Sequence, residues 1–163
     1  MHFAVLNTDP VGNDGHAPAS WLKSDFAEAM TRGKNKFFVF GHKPAFTYAF
    51  KSGVGLDGLD LFPENLNAFW SVIESAKATY FCGHEHIFNM NQPARNKGGT
   101  SWQVLVGSGG SPFRVKPHES NNPVDRTYAW ALVKVHASGT VDIEAYGFDE
   151  DFGATKLLQS VQI

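Results

Sequence analysis

An apolar strand that ends in Gly-His occurs twice in this chain, as FFVFGH at residues 37–42 and as YFCGHEH at residues 80–86. A glycine at the end of a strand allows a sharp turn or a close approach of the backbone, while the strand fixes the direction of the imidazole that follows. Neutral imidazole is a common nitrogen ligand for metals in proteins. The repeated pattern therefore predicts a metal site that is built from distant parts of one chain.

His84 and His86 are two positions apart, and this spacing places both imidazoles on the same side of an extended backbone. His42 converges on them if the two strands are neighbours in one sheet, because sites in open α/β sheets form at the carboxyl ends of the strands. His42, His84 and His86 are therefore the predicted ligands. The remaining histidines lie near the chain end, in polar loops or beside a turn, where we expect surface positions: His2, His16, His118 and His136.

Length and composition favour one globular unit, because the 163 residues are 42% hydrophobic and 18% charged. The net charge is −2 and the basic residues are scattered, so nucleic acid is not an expected partner. No apolar run approaches the roughly 18 residues that cross a bilayer, so a membrane is not expected either. The first residues lack the pattern of a signal peptide. Cys82 is the single cysteine, which excludes an internal disulfide.

The hydrophobic pattern predicts the order β-α-β-α-β, followed mostly by β structure. Predicted strands cover residues 3–8, 36–40, 79–82 and 102–107, with a hairpin formed by residues 128–136 and 140–147. One helix is expected from a Ser20 cap to Gly33, with Trp21, Leu22, Phe26, Ala29 and Met30 on its apolar face. A second helix is expected to start at Pro63, with an apolar stripe of Leu66, Phe69, Trp70, Ile73 and Ala76. This order places the chain in the α/β (α+β) class.

Residues 83–86, Gly-His-Glu-His, resemble the Gly-His-x-His motif of the calcineurin-like metallophosphoesterases. Residues 41–44, Gly-His-Lys-Pro, resemble the Gly-His-x-Pro motif of the purple acid phosphatase branch of that family. The order of the other features is similar as well: a strand that ends at Leu6-Asn7-Thr8, a helix with Trp21-Leu22, and a strand that closes in the glycine-rich turn 107–110. The resemblance covers essentially the whole chain.

This resemblance implies that residues 1–163 are a single partial domain, the C-terminal portion of a metallophosphoesterase catalytic domain. The implied fold is half of an αββα sandwich, with a mixed sheet, two helices and a C-terminal β-hairpin. The implied activity is metal-dependent hydrolysis of phosphate esters, as a phosphatase or phosphodiesterase, at two divalent or trivalent ions of Fe, Zn or Mn. His42 and His84 resemble the nitrogen ligands of one ion and His86 resembles a ligand of the other, which makes all three catalytic candidates. Members of the family can be secreted or periplasmic.

The carboxylate motifs of the family, Asp-x-His, Gly-Asp-x-x-Asp and Gly-Asn-His, do not occur before the Leu6-Asn7-Thr8 strand. Three neutral imidazoles bring no negative charge to two cations, and burial of such ions without carboxylates is costly. We therefore expect the missing N-terminal half of the domain to be the partner of this chain. Alone, the chain should bind metal weakly and should not turn over substrate. Its uncovered face should favour self-association or strand exchange.

Other motifs receive more modest interpretations. Tyr48 and Lys51 follow Gly41-His42, where plant-like purple acid phosphatases carry further histidines, and are candidates to contact the substrate. The G-x-G-x-x-G pattern at residues 53–58 lacks a flanking strand and helix, so we expect a loop. Cys82 is expected to be a buried, inert thiol, and the turn 107–110 to let the backbone pass close to the site.

Two alternatives stay open: a non-catalytic, degenerate phosphoesterase relative that binds a partner, and a mononuclear zinc protein with three histidine ligands.

Overall fold

The computed structural model describes residues 1–48, 58–113 and 126–163, and these residues form eight strands and two α-helices. The strands are β1 (His2–Val5), β2 (Phe37–Phe40), β3 (Thr79–Cys82), β4 (Phe88–Asn91), β5 (Trp102–Val106), β6 (Tyr128–Val135), β7 (Val141–Phe148) and β8 (Lys156–Gln162). The helices are α1 (Ala19–Thr31) and α2 (Pro63–Ser75). The strands of the predicted order are all present, and β4 and β8 are additional strands that the hydrophobic pattern did not predict.

Five strands form the main sheet in the order β1-β2-β3-β5-β4. β1, β2, β3 and β5 run parallel, and β4 is antiparallel to β5, so the sheet is mixed, as expected. β2 and β3 are direct neighbours, with Phe40 opposite Phe81. Because parallel strands end at the same edge of a sheet, this order brings the segments that follow Phe40 and Cys82 together.

Helix α1 begins at Ala19, one residue before the predicted Ser20 cap. Pro18 precedes its first residue, and Ser20 lies inside the helix, where no side-chain cap hydrogen bond is formed. The prediction of a Ser20 cap is therefore wrong. The stop at Gly33 is confirmed, because this glycine has φ of +72°, the left-handed conformation that commonly follows a helix.

The apolar face of α1 is narrower than its spacing suggested. Leu22, Phe26 and Ala29 are buried, whereas Trp21 and Met30 remain about half exposed at 51% and 47%. Only one side of a helix can contact a sheet, and these two residues lie beyond that side.

Helix α2 agrees with the sequence pattern. Pro63 is at its N-terminal turn, where a missing N–H costs nothing. The predicted stripe is buried at Leu66, Phe69, Trp70 and Ile73. Both helices pack on one face of the main sheet, so the core on that side joins the helix residues to the sheet side chains of β1, β2, β3 and β5.

A second sheet covers part of the opposite face. It is antiparallel, in the order β6-β7-β8, and contains the predicted C-terminal hairpin as β6 and β7. Its inward side chains, such as Val141 and Ile143, share a core with Phe38, Phe81 and Val104 of the main sheet. The described chain is thus a three-layer arrangement of helices, mixed sheet and small antiparallel sheet.

Strand β1 leaves apolar side chains exposed on the face that the helices do not cover. Ala4 is buried on the helix side, while Phe3 and Val5 point the other way and are 57% and 78% exposed. Phe3 stacks on Phe38 of β2, with ring centroids 5.4 Å apart. Neighbouring exposed apolar side chains on the face of a sheet are typical of surfaces that are covered by another part of a protein.

Among the described residues, no helix has the length and apolar character needed to span a bilayer.

Candidate metal centre

The imidazoles of His42 and His84 lie together at the carboxyl ends of β2 and β3. The Nε2 atom of His42 is 3.0 Å from the Nδ1 atom of His84, although the residues are 42 positions apart in sequence. Their ring centroids are 4.9 Å apart and the ring planes are at 79°. The adjacency of the two parallel strands produces this pair, since each strand delivers its histidine to the same edge of the sheet.

His86 takes a different position from the one that an extended backbone would give it. His84 has φ of +67°, in the left-handed region, so the loop turns between the two histidines and the same-side argument does not describe it. The Nδ1 atom of His86 lies 2.9 Å from the carbonyl oxygen of Pro112, in the loop after β5. In the described parts of the chain, no three His, Cys, Asp or Glu side chains are grouped so that they would hold a metal ion. The structure therefore groups two of the three predicted ligands.

Two glycines make room for the close contacts around this edge. A Cβ on Gly41 would overlap the Tyr80 hydroxyl and would lie 2.9 Å from a methyl carbon of Thr8. A Cβ on Gly107 would overlap the backbone carbonyl of Glu85. We call residues 83–86, which carry His84 and His86, the histidine loop. As expected, the backbone of the 107–110 turn lies close to this loop, at Gly107.

Buried polar side chains fasten the segment after His42, and sequence reasoning missed them. The fully buried Glu85 accepts a hydrogen bond at 2.7 Å from the backbone N–H of Tyr48. Gln103, also fully buried, accepts a bond from the N–H of Phe46 at 3.0 Å and donates to the carbonyl of Phe46 at 2.9 Å. A buried polar group must be satisfied in this way to avoid a cost of several kcal/mol. A glutamine in the middle of an otherwise apolar strand was the sequence signal for it.

Lys43 ties the segment to the loop after β1. Its backbone N–H donates to the Thr8 hydroxyl at 2.9 Å, and its carbonyl accepts a bond from the Tyr80 hydroxyl at 2.5 Å. Its ammonium group lies 3.1 Å from Asp14 and 3.4 Å from Asp9. The contact with the Asp9 side chain and the hydrogen bond from Lys43 hold the pKa of Asp14 below its ordinary value. The positive charge of Lys43 is therefore already matched by carboxylates.

Cys82 is a buried free thiol at the end of β3, as expected. Burial raises its pKa well above the ordinary value, and the charge of Glu85 adds to the rise. A thiol of this kind is protonated at neutral pH and is a poor nucleophile or metal ligand.

The two candidate substrate residues are placed differently. Tyr48 is half-buried, and its side chain packs against the core beneath the helices. Lys51 lies outside the described residues, as do residues 53–57 of the G-x-G-x-x-G pattern and His118.

The histidine pair fits part of a metal site. The His42 Nε2 and His84 Nδ1 atoms are within hydrogen-bond distance of each other, at 3.0 Å, and this separation is close to the roughly 3.3 Å between two imidazole nitrogens on one tetrahedral zinc ion. The described residues do not fit a complete site for two ions, because they place no third ligand and no carboxylate in the same group. Two neutral imidazoles do not balance the charge of such ions.

Comparison with solved structures finds a similarity to the purple acid phosphatase PPD1 isolated from seeds of yellow lupin (Lupinus luteus). The TM-score is 0.67 at 15% sequence identity, and the similarity covers 99% of this chain and 30% of that chain. No family model and no curated protein matches the chain. The α/β architecture, with two helices, a mixed sheet and a C-terminal antiparallel hairpin, thus matches the C-terminal part of a metallophosphoesterase fold.

Proposed function

We propose that this chain supplies nitrogen ligands to the metal centre of a phosphoesterase, a phosphatase or phosphodiesterase that hydrolyses phosphate esters. The observation that carries the proposal is the His42–His84 pair. Two imidazoles from distant parts of the chain lie 3.0 Å apart at adjacent strand ends, in a fold similar to that of a purple acid phosphatase. The ends of parallel strands are where ligands bind in such sheets.

The conformation of His84 supports a functional role. A histidine at φ of +67° costs free energy that a glycine would avoid, and such conformations concentrate at functional sites. The loop keeps a side chain in a position that the backbone alone disfavours.

The contact of His86 with Pro112 supports the third predicted ligand. A carbonyl oxygen only accepts hydrogen bonds, so the Nδ1 atom of His86 is the donor in this 2.9 Å contact. The lone pair of the ring then lies on Nε2, which is the arrangement of a metal-binding histidine held by a backbone carbonyl. We include His86 in the proposed ligand set on this ground.

The proposed centre is completed by a further stretch of polypeptide, the partner of residues 1–163, which form one partial domain. Phosphoryl transfer requires positive charge at the transferring group, and carboxylates are needed to hold such charge in a buried site. The described residues lack that carboxylate group. The exposed Phe3 and Val5 of β1 offer a surface that the partner would cover.

Zinc titration of the chain tests the proposal. We expect weak Zn²⁺ binding by calorimetry, at least about tenfold weaker in His42→Ala and in His84→Ala, since each removes one ligand of a pair. His136→Ala, on the exposed hairpin, serves as the control and should bind like the parent chain. No hydrolysis of p-nitrophenyl phosphate is expected from residues 1–163 alone.

Two results would count against the proposal. Zinc binding that is unchanged in both histidine variants would remove the pair as ligands and would favour a degenerate, non-catalytic relative. Tight binding of two ions per chain together with hydrolysis would show that the chain needs no partner.

A further inference from the structure

A cavity of about 430 Å³ lies beside the loop that follows β5. Its walls are aromatic side chains and its remaining lining is small: Tyr128, Trp130, Phe148, Phe152, Ala129, Gly109 and Gly110. We call it the aromatic cavity. Its size falls within the range of small-molecule sites in proteins, which is about 300–1,000 Å³.

Three of the aromatic rings pack on one another, and two of the aromatic side chains of the cavity keep a large exposed surface. The rings of Tyr128 and Phe152 are nearly parallel, at 10°, with centroids 5.7 Å apart, and Phe148 packs against both. Phe152 is 74% exposed and Trp130 is 44% exposed. A flat ring that stacks on an exposed aromatic side chain is stabilised, because apolar surface of both rings is removed from water.

The glycines keep one side of the aromatic cavity open. A Cβ on Gly109 or on Gly110 would have no atom within 4 Å. Gly110 has φ of +99°, a conformation that favours glycine, whereas Gly109 is not in the left-handed region. A flat group can therefore approach the backbone of this loop without displacing a side chain.

The charge around the cavity favours a neutral ring. Among the described residues, those that line the cavity include no charged side chain. The adjacent Glu150 is engaged by Arg126 at 2.5 Å, and Asp149 lies 3.9 Å from Lys156. Two of the three acidic residues at positions 149–151 are thus matched by cations, and the third, Asp151, is exposed to solvent, so the field on a cationic ligand is weak.

The loop 107–113 connects the cavity to the proposed metal centre. Gly107 lies against the backbone of Glu85, and the carbonyl of Pro112 contacts His86 at 2.9 Å. Gly110 and Pro112 are two residues apart, so their Cα atoms are separated by at most about 7 Å. The edge of the cavity at Gly110 and the His86 ring are therefore on the order of 10 Å apart, a distance that one small molecule can span.

We propose that the aromatic cavity binds the flat aromatic leaving group of a phosphate ester whose phosphate is directed toward His86. The assignment rests on the proposed function for the phosphate end and on the cavity alone for the aromatic end. It names the substrate class as esters of aromatic rather than aliphatic alcohols.

Binding of 1-naphthyl phosphate to residues 1–163, followed by amide NMR shifts, tests this assignment, with cyclohexyl phosphate as the matched non-aromatic probe. We expect shifts at Gly109, Gly110 and Tyr128 with the naphthyl compound and much weaker binding of the cyclohexyl compound. Gly109→Leu adds a side chain at a residue that lines the cavity and has open space around it, and Trp130→Ala removes a wall. Each should weaken naphthyl phosphate binding about tenfold or more, while Trp21→Ala, on α1, should not.

Equal binding of the two probes, or unchanged affinity in Gly109→Leu and Trp130→Ala, would overturn the assignment. 1-Naphthol, which has the aromatic ring but no phosphate, tests the aromatic cavity separately from the proposed metal centre. Shifts in the cavity with naphthol, combined with zinc binding that ignores His42 and His84, would support the aromatic site and refute the proposed function. The reverse pattern would refute the aromatic site alone.

Discussion

The backbone of Gly107 lies against the backbone carbonyl of Glu85 so closely that a side chain on residue 107 would overlap the carbonyl oxygen. Gly83, two residues before Glu85, also lies near Gly107 but has more space, because a Cβ on Gly83 would lie 3.7 Å from the Cα of Gly107. Two glycines at the ends of neighbouring strands β3 and β5 therefore have unequal importance for the histidine loop.

Gly107→Ala should lower the free energy of unfolding by about 1–3 kcal/mol, the cost of forcing atoms into a packed site where the neighbour is backbone. Gly83→Ala is the matched control and should change the free energy by less than about 1 kcal/mol. Urea unfolding followed by circular dichroism measures both. Equal losses in the two variants would show that the contact at Gly107 is not a constraint.

His84→Gly should be more stable than His84→Ala by about 1 kcal/mol, because only glycine adopts φ of +67° without strain. Both variants lack the imidazole, so the comparison isolates the backbone. Lys77, which follows α2 with φ of +49°, provides the control pair, since Lys77→Gly and Lys77→Ala should differ in the same direction. A difference at Lys77 with none at His84 would contradict strain in the histidine loop.

Cys82 should not react with a disulfide reagent while the chain is folded. The thiol is 5% exposed, and burial together with the Glu85 charge raises its pKa, so almost no thiolate reaches the reagent. We expect slow labelling with Ellman's reagent at pH 8 and complete labelling in denaturant. Rapid reaction of the native chain would show that β3 is accessible.

Asp142 should contribute to stability at neutral pH and lose that contribution in acid. The hydrogen bonds from Gln162 and from His136, both at 2.7 Å, lower its pKa in the folded chain below the ordinary value of 3.8. Because the folded pKa is the lower one, the stabilisation is present above pH 3.8 and decreases as the pH falls through the folded pKa.

The melting temperature of Asp142→Asn should therefore fall less steeply than that of the parent chain between pH 5 and pH 2. Asp151→Asn, an exposed carboxylate before β8, is the control and should follow the parent curve. Parallel curves for all three chains would rule out the contribution of Asp142.

The exposed face of β1 should drive association between copies of the chain. The double variant Phe3→Ser, Val5→Thr removes two apolar side chains that are 57% and 78% exposed, and it should shift the population toward monomer in light scattering. Val11→Ser, fully exposed in the loop before α1, removes one apolar side chain away from the sheet and should have no such effect. A parent chain that is strictly monomeric at high concentration would argue against an uncovered face.

The elements with strong local patterns were predictable from sequence, whereas those that depend on context were not. The α2 stripe of Leu66, Phe69 and Ile73 repeats at helical spacing, and the buried helix follows it. β4 reads Phe88-Asn89-Met90-Asn91, yet three of its four residues are buried. Its strand conformation comes from antiparallel pairing with β5, which no local pattern encodes.

In the candidate site, too, some features were predictable from the sequence and others were not. The strand-Gly-His pattern predicted that His42 and His84 come together, and their imidazoles are adjacent, but the extended-chain argument for His86 failed because His84 turns the backbone at φ of +67°. The buried contacts of Glu85 and Gln103 depend on a segment that is distant in sequence. Their roles therefore required the folded chain.

By itself, the sequence determined that two apolar strands end in glycine and histidine and that an α-helix lies between them. Those features are local, since they follow from side-chain type and spacing. Only the tertiary structure decided that β2 and β3 are adjacent and parallel and that two ring nitrogens, 42 residues apart, lie at 3.0 Å. Such a distance depends on how the helices and both sheets pack around the strands, because chain connectivity alone leaves it free.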